Sequence, residues 1–307
     1  MREALYEATS RGLQGEPKEL PPVWLYDDRG SHLFEEITQL PEYYLTRCED
    51  EILRAGSAEI ARRTEARTLV ELGSGTSTNT RLLLDALGGT LQRFAPLDVS
   101  EQTLRTSAKA IAAAYPGLTV EPIVGDFERD LGALPEGGPR LIAFLGSTIG
   151  NLYPERREKF LTALAASLAP ADAFLLGVDL VKDVARLEAA YDDSRGVTEE
   201  FARNALTVVN RELGATFHQQ RFAYEARWDP DHDWMDIGFR AREAQTVSVP
   251  ALDLEVAFEV GEALRLEVSA KFRRDRVEHE LERSGLRVES WWTDGAKDFA
   301  LALVRPR

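Results

Sequence analysis

The chain has 307 residues, of which 44% are hydrophobic and 29% are charged, so it is long enough for a large folded domain and a smaller second one. Its 37 basic and 52 acidic residues give a formal net charge of −15, which disfavours nucleic acid and anionic membrane surfaces as partners. The single cysteine excludes an internal disulfide, and the four histidines are spaced too widely in the sequence for a metal-ligand motif.

From Arg67 onward, short apolar runs alternate with segments of helical periodicity. Amphipathic segments follow the first two runs, at residues 80–87 and 101–115. Because an apolar run returns after each helical segment, the pattern predicts a doubly wound, Rossmann-like α/β sheet of parallel strands. The five runs lie at residues 68–72, 94–99, 119–124, 141–145 and 174–179.

The pattern changes after Val181. A helical stretch to about Leu213 is followed by runs that alternate apolar and polar residues at 221–228, 234–241 and 246–249, which is typical of an antiparallel sheet with one wet face. A helix at 276–284 and two runs at 286–292 and 299–304 then resume the first pattern. We therefore expect an inserted α+β domain, with the sheet domain at 48–181 and 272–307 and the second domain at 1–47 and 182–271.

The first apolar run leads into the sequence LVELGSGTST, which contains Gly73 and Gly75. Glycines at this point let the backbone turn sharply and approach a ligand, although a purely structural turn explains the motif equally well. A dinucleotide fingerprint requires a third glycine where Thr78 stands. Glu71, the acid before the glycines, is common in methyltransferases.

Two acids at predicted strand ends favour a nucleoside ligand. Asp98 lies 23 residues after Gly75, near the spacing of an acid that binds a ribose diol. Asp126 follows the third run, where its carboxylate can accept from an adenine amine while the Phe127 ring packs on the base. The simpler alternative is that each aspartate only shapes a turn or caps a helix.

Three further segments carry polar or aromatic groups. Asn151 ends FLGSTIGN after the fourth run, where it either donates to a ligand carboxylate or caps the next helix. LEVSAKF alternates so that Glu267, Ser269 and Lys271 share one strand face, for which a solvated face is the simpler interpretation. The N-terminal segments WLYDD and LPEYY are rich in aromatic residues, which either pack a core or hold a cation.

In combination, these segments resemble one family nearly end to end, the histidine-specific Nα-methyltransferases of ergothioneine biosynthesis. The segments that carry the resemblance are PPVWLYDDRGSHLFEEITQLPEYYLTR, VELGSGTSTNTRLLLDAL, GDFE, FLGSTIGNLYP, LVKD, AYDDSRGVTEEFARN, VVNRELGA, ALDLEV, EVSAKF and WWTD. The resemblance implies a class I methyltransferase sheet with an inserted substrate-binding domain, and S-adenosylmethionine as the methyl donor. It further implies trimethylation of L-histidine at its α-amino nitrogen to hercynine.

The resemblance also implies roles for individual residues. Asn151 and Tyr191 would hold the substrate carboxylate, Glu267 and Ser269 the imidazole, and Tyr43 would line the same pocket. Tyr26 would lie near the amine, where we expect it to relay the proton that the amine must lose. The residues implied to bind the cofactor are Phe34, Gly73, Gly75, Asp98, Asp126 and Phe127.

Two positions depart from the family pattern. Asn79 stands where relatives often carry a lysine near the cofactor carboxylate, and Ile237 stands where some relatives place a methionine against the substrate. Cofactor affinity and the choice of histidine over an amino acid such as tryptophan are therefore the open points. The alternatives outside the family are a nicotinamide-dependent oxidoreductase and a non-catalytic domain of the same fold.

The expected partners and cellular location are inferred from signals that the sequence lacks. The sequence contains no apolar stretch near the roughly 18 residues that span a bilayer, and MREALYEATSRG lacks the apolar core of a signal peptide. We expect a cytoplasmic monomer that binds a small amino acid, without nucleic acid, membrane or metal.

Overall fold

The computed structural model describes residues 2–307, and the regular elements are numbered in chain order. The helices are α1 (Arg2–Leu13), α2 (Asp28–Thr38), α3 (Leu45–Thr64), α4 (Thr80–Leu87), α5 (Glu101–Ala114), α6 (Pro154–Ser167), α7 (Val184–Tyr191), α8 (Val197–Leu213) and α9 (Arg274–Arg283). The strands are β1 (Lys18–Glu19), β2 (Thr68–Leu72), β3 (Arg93–Asp98), β4 (Thr119–Val120), β5 (Ile123–Val124), β6 (Arg140–Phe144), β7 (Ala173–Asp179), β8 (Phe222–Asp229), β9 (Trp234–Ala241), β10 (Gln245–Val249), β11 (Leu254–Phe258), β12 (Ala263–Ala270), β13 (Leu286–Thr293) and β14 (Phe299–Pro306).

The chain divides into two compact units. One, the sheet unit, consists of Tyr44–Lys182 and Ala270–Arg307. The other, the insert unit, consists of the residues up to Tyr43 together with Asp183–Ser269. The chain therefore passes between the units three times, after Tyr43, after Lys182 and after Ser269.

The sheet unit is built on one mixed sheet in the order β13-β14-β7-β6-β2-β3-β4, with β5 also paired to β3. Strands β2, β3, β6 and β7 are parallel, whereas β14 runs antiparallel to β7 and β13 antiparallel to β14. Every residue of β2, β6 and β7 is buried, as expected for parallel strands covered on both faces, which read as continuous apolar runs. The predicted α/β class is confirmed.

The third apolar run differs from the prediction. Residues 119–124 form two short strands, β4 and β5, which pair with different parts of β3. Pro122 lies between them, and its missing N–H interrupts the ladder. The later boundaries also shift by a few residues, since α9 begins at Arg274 rather than at residue 276.

The longest helix, α3, covers part of this sheet. Its buried side includes Cys48, Ile52, Leu53 and Ile60, and spacings of four, seven and eight residues align them on one helical face. The helix packs against α4 and β14. The same side carries Glu49, a carboxylate on an otherwise apolar stripe.

The insert unit combines two small sheets with α1, α2, α7 and α8. Four strands pair in the order β1-β12-β9-β8, and β10 pairs with β11. The β8–β9 hairpin runs in register from Phe222 opposite Ala241 to Asp229 opposite Trp234. Gly238 allows β12 to approach β9, because a Cβ at this position would lie 2.3 Å from the Leu264 carbonyl oxygen.

Two strands of the insert unit depart from the sequence prediction. The alternating segment expected at 266–272 forms β12, which lies earlier in the chain and ends at Ala270. Strand β11 was not predicted, although its exposed Glu255 and Ala257 alternate with the buried Val256 and Phe258 as residues of a half-buried strand do. Among the helices within residues 2–307, none has the length and apolar composition needed to cross a bilayer.

Candidate functional site

The loop between β2 and α4 takes a conformation that depends on glycine. Gly73 and Gly75 have φ angles of 66° and 47°, in the left-handed region that residues with a Cβ rarely adopt. The backbone N–H groups of Gly73 and Ser74 donate to the Leu97 carbonyl at 2.9 and 3.1 Å, which attaches the loop to the end of β3. A Cβ on Gly75 would meet no protein atom within 4 Å, so its backbone borders open space that a ligand can occupy.

Asp98, the last residue of β3, is joined to this loop. One carboxylate oxygen accepts from the Gly75 N–H at 2.8 Å and the other accepts from the Ser100 N–H at 2.8 Å. Burial raises the pKa of Asp98 above its ordinary value, while the backbone N–H donors act in the opposite direction. Each oxygen of a carboxylate accepts about two hydrogen bonds, so both can also accept from the two hydroxyls of a ribose.

Asp126 and Phe127 follow β5 beside Asp98. The Gly125 N–H donates to the Asp98 carbonyl at 3.0 Å, which brings this turn to the end of β3. Asp126 accepts from the Glu128 N–H at 3.0 Å, so it shapes its turn, as the simpler alternative proposed. The Phe127 ring packs against Phe144, with ring centroids 4.9 Å apart. These residues and the glycine loop lie at the carboxyl ends of neighbouring strands, where open α/β sheets bind ligands.

Two buried acids of the sheet unit accept hydrogen bonds from residues near this edge of the sheet. Glu71 accepts from the hydroxyls of Ser77, at 2.7 Å, and Thr80, and burial raises its pKa to about 8. Glu49 accepts from the Gly146 N–H at 2.8 Å and from the Asn79 amide at 3.1 Å, and burial raises its pKa to about 7. Sequence reasoning missed Glu49, although an acid on the apolar stripe of α3 was a visible signal.

The loop after β6 contains Asn151 at the end of a short 3₁₀ turn, Thr148–Asn151. The alternative that Asn151 caps the next helix is wrong, because the N-cap of α6 is Tyr153, whose side chain makes no cap hydrogen bond. Ser147 has a φ of 59°, and its hydroxyl accepts from the Asp179 N–H at 2.9 Å. The loop is therefore fastened to the end of β7.

The predicted aromatic residues of the insert unit form one group, here named the aromatic cluster, consisting of Tyr26, Phe34, Tyr43, Tyr191 and Phe201. Ring centroids lie 6.0 Å apart for Tyr26 and Phe34, 6.2 Å for Phe34 and Tyr43, and 6.4 Å for Tyr43 and Tyr191. Phe201 was missed from the sequence, yet its ring lies 5.5 Å from that of Tyr26. Phe34 thus lies among predicted substrate residues, and its predicted contact with the cofactor stays a prediction.

Ser269 and Tyr191 meet in the same unit. Their hydroxyl oxygens are 2.8 Å apart, and both side chains are buried. The hydroxyl of Tyr224 donates to the Tyr191 carbonyl at 2.6 Å, which fixes the backbone that carries the Tyr191 ring. Tyr224 is a third residue that sequence reasoning missed, after Glu49 and Phe201, since strand alternation alone gave it no distinct role.

The strand face that carries Glu267 is not simply solvated. Ser269 on that face is buried and Glu267 is half-buried, and Lys271, which lies just beyond the end of β12, is buried as well. The interpretation of a wet strand face is therefore wrong. Burial raises the pKa of Tyr224 well above its ordinary value, and the charges of Asp192 and Glu267 act in the same direction. Because Glu267 and Ser269 are two residues apart on β12, the Glu267 carboxylate lies on the same strand face as the hydroxyl that contacts Tyr191 of the aromatic cluster. Ile237 is buried on β9 of the same sheet.

Sheet topology and loop geometry define the class of protein. A parallel sheet whose final strand, β14, runs antiparallel, with a glycine loop after β2 and a carboxylate after β3, forms a class I methyltransferase sheet. Residues 5–306 match the family model described as histidine-specific methyltransferase, SAM-dependent. The chain belongs to this family of S-adenosylmethionine-dependent methyltransferases, and the prediction of a nicotinamide-dependent oxidoreductase as an alternative is wrong.

Relatives are similar in sequence to this chain over almost its whole length. A histidine N-alpha-methyltransferase from Mycolicibacterium smegmatis is 54% identical, over 98% of this chain and 95% of the relative, and one from Mycobacterium tuberculosis is 54% identical over 98% and 94%. Ergothioneine biosynthesis protein 1 of Neurospora crassa is 32% identical over 94% of this chain and 33% of its own length. A solved S-adenosylmethionine-dependent methyltransferase from Clostridium acetobutylicum has a TM-score of 0.48 and 13% identity, covering 91% of this chain and 98% of that one.

Proposed function

We propose that this enzyme transfers three methyl groups from S-adenosylmethionine to the α-amino nitrogen of L-histidine, giving hercynine as a step of ergothioneine biosynthesis. The observation that carries the proposal is the buried hydroxyl pair of Tyr191 and Ser269, 2.8 Å apart, with Glu267 on the same strand face. The names of the bacterial and fungal relatives support the same substrate and pathway.

The residues of the sheet unit fit the methyl donor. Asp98 offers two acceptor oxygens to the ribose hydroxyls, while Gly73 and Gly75 give the ligand close access to the backbone. Phe127 presents a ring and Asp126 a carboxylate to the adenine. When bound, S-adenosylmethionine supplies an electrophilic methyl carbon on a sulfonium. We assign cofactor binding to the sheet unit and recognition of the histidine side chain to the insert unit.

The polar groups near Tyr191 suit an imidazole. A neutral imidazole has one N–H donor and one acceptor nitrogen, and both must be paired when the ring is buried. Glu267 accepts from the N–H. When the Tyr191 hydroxyl donates to Ser269, the Ser269 hydroxyl donates its own proton onward, and the second imidazole nitrogen is a suitable acceptor. Asn151 is assigned to the substrate carboxylate, because an amide N–H donates to anions. Tyr191 has a single hydroxyl proton, which this arrangement gives to Ser269 rather than to the carboxylate that the resemblance implies.

The aromatic cluster suits the amine end of the substrate. Ring faces attract ammonium groups whether these carry hydrogens or methyl groups, so each methylated intermediate is held in a similar way. Attack requires a neutral amine, and an α-amino group has a pKa of roughly 8. We assign Tyr26 to relay that proton through water and Tyr43 to line the pocket. Alignment of two bound molecules then supplies most of the acceleration.

The proposal is tested by incubating the protein with S-adenosylmethionine and each protein amino acid, followed by mass spectrometry. We expect histidine to gain one, two and then three methyl groups, and loss of trimethylamine on fragmentation to locate all three on the α-nitrogen. Nα-acetylhistidine is the control, because its blocked nitrogen must stay unmodified. Methylation of tryptophan or another amino acid in preference to histidine would overturn the assignment, as would methylation of the imidazole.

We further propose that the enzyme acts as a monomer in the cytoplasm on free amino acid. Its one cysteine, Cys48, is buried, and the net charge of −15 disfavours polyanions as partners. Light scattering coupled to size-exclusion chromatography tests the oligomeric state, with a mass near 34.3 kDa expected.

A further inference from the structure

Asp179, the last residue of β7, lies at the centre of a buried group of charges within the sheet unit. Its carboxylate accepts from the Tyr44 hydroxyl at 2.8 Å and pairs with the Lys271 ammonium at 2.9 Å. Lys182 pairs with the same carboxylate, and its ammonium donates to the Tyr44 oxygen at 2.7 Å. The side chains of Asp179 and Lys271 are 0% exposed, and that of Lys182 is 6% exposed. We name these four residues the Asp179 hub.

The partners of Asp179 coincide with the three places where the chain leaves or enters the sheet unit. Tyr44 is the first residue of the unit after Tyr43, and Lys182 is the last before Asp183. Lys271 is the second residue after the chain returns from Ser269. One carboxylate therefore holds a side chain from every crossing of the chain between the units.

Backbone hydrogen bonds reinforce two of these crossings. The Phe272 N–H donates to the Asp179 carbonyl at 2.8 Å, and the Val181 N–H donates to the Phe272 carbonyl at 3.0 Å. A parallel bridge joins Leu180 to Phe272. The outgoing chain after β7 and the returning chain after β12 are thus fixed side by side at the hub.

Stability alone does not account for such a group. Removing two ammonium groups and a carboxylate from water is costly, and buried ion pairs often add less stability than apolar residues of the same size. Burial lowers the pKa of Lys182, which the negative charges of Asp179 and Asp298 counteract. Unlike apolar packing, the hub attaches three separate segments through directional interactions.

We propose that Asp179 is a positioning residue for the amino-acid substrate, an inference that rests on the function proposed above. The proposed substrate residues Tyr43 and Ser269 lie one and two residues from hub members, within about 4 and 7 Å of chain. Tyr191 ends the helix that begins two residues after Lys182. Asp179 thereby acts through Tyr44 and Lys271 on the groups that bind histidine, and touches no reacting atom.

The test compares Asp179→Asn with Asp172→Asn. Asp172 is a matched control because it directly precedes the same strand, is also fully buried, and pairs with Arg140 at 2.6 Å, away from every crossing. We expect Asp179→Asn to raise the KM for histidine about tenfold or more. The affinity for S-adenosylhomocysteine, measured by calorimetry, should change less than about twofold in the same variant. Asp172→Asn should lower the melting temperature without changing either constant.

Hydrogen exchange gives a readout that does not depend on the substrate. In Asp179→Asn, amides in residues 43–46, 180–183 and 269–272 should exchange faster together, whereas Asp172→Asn should leave them unchanged. Lys182→Gln keeps the pair of Asp179 and Lys271, so it serves if the first variant does not fold, and it should show the same changes to a smaller degree. A histidine KM equal to that of the wild type in both hub variants, or raised equally by Asp172→Asn, would overturn the inference. If the wild type does not methylate histidine but exchange rises only in the hub variants, the proposed function fails while the hub is supported.

Discussion

Replacing Glu49 by glutamine should change how the stability of the enzyme depends on pH. Burial raises the pKa of this carboxyl from 4.5 to about 7, so the native protein holds a proton that the unfolded chain releases near pH 4.5. The stability contributed by this proton is fully present below the unfolded pKa and is lost as the pH rises through the folded one. Over two and a half pH units, at 1.36 kcal/mol each, the loss is about 3 kcal/mol.

Glutamine resembles the protonated acid in shape and cannot ionise. Its amide oxygen can still accept from the Gly146 N–H, and Asn79 can turn its own amide to pair with the new one. We therefore expect Glu49→Gln to match the wild type at pH 5 and to be more stable at pH 8, by up to about 3 kcal/mol. Glu71, whose pKa burial raises to about 8, keeps part of the pH dependence in both proteins.

Urea denaturation followed by circular dichroism at pH 5, 6, 7 and 8 measures this difference. Glu59→Gln on the same helix is the control, because the neighbours of Glu59 lower its pKa and it stays ionised throughout this range. Asn79→Lys should flatten the pH profile for the opposite reason, because an ammonium beside Glu49 favours its ionised form and so lowers its raised pKa. Parallel profiles for the wild type and Glu49→Gln between pH 5 and pH 8 would refute the reasoning.

Three further substitutions test the proposed roles. Glu267→Ala removes the acceptor for the imidazole N–H and should lower kcat/KM for histidine roughly 10- to 150-fold, which corresponds to about 1.5–3 kcal/mol. Glu255→Ala, which changes an exposed side chain on β11, should have no effect. Wild-type kinetics in Glu267→Ala would contradict the imidazole assignment. Asp98→Ala should weaken the binding of S-adenosylhomocysteine, measured by calorimetry, about 10- to 100-fold. An unchanged affinity would remove Asp98 from the cofactor site. Tyr26→Phe removes the hydroxyl, so kcat should fall about tenfold or more. The variant keeps the ring, so the melting temperature should change little. An unchanged kcat would exclude the proton relay.

The sheet could be predicted from the sequence because its signal is local. Strands such as β2 and β7 are buried along their whole length, so each reads as an uninterrupted apolar run between helical segments. The exception at β4 and β5 also has a local cause, since Pro122 cannot donate to the ladder. Where the chain followed strand or helix periodicity, boundaries could be predicted to within a few residues.

The site was harder to predict because its residues come together only in the folded chain. Periodicity gave Lys271 a solvated position, yet the residue is buried because Asp179, 92 positions earlier in the chain, supplies its counter-charge. Phe201 lies on the buried side of α8, where an aromatic residue is ordinary, so nothing marked it as a neighbour of Tyr26. Local pattern reports which face is buried, but not which distant group a side chain meets there.

The family resemblance assigned roles to individual residues, which periodicity could not do. The roles proposed within the insert unit are also physically consistent with one another. Trimethylation replaces each N–H of the amine by a methyl group, so a site that bound the amine through fixed acceptors would lose a partner at every step. In the proposed role, the aromatic cluster avoids this loss, because ring faces attract a cation without needing its hydrogens. Under the same proposal, selectivity comes from the opposite end of the substrate, where Glu267 and the buried pair of Tyr191 and Ser269 offer directional hydrogen bonds that methylation of the amine leaves intact. One pocket can thus be strict about the side chain and tolerant of the changing amine, which is the combination that three successive transfers to one nitrogen require.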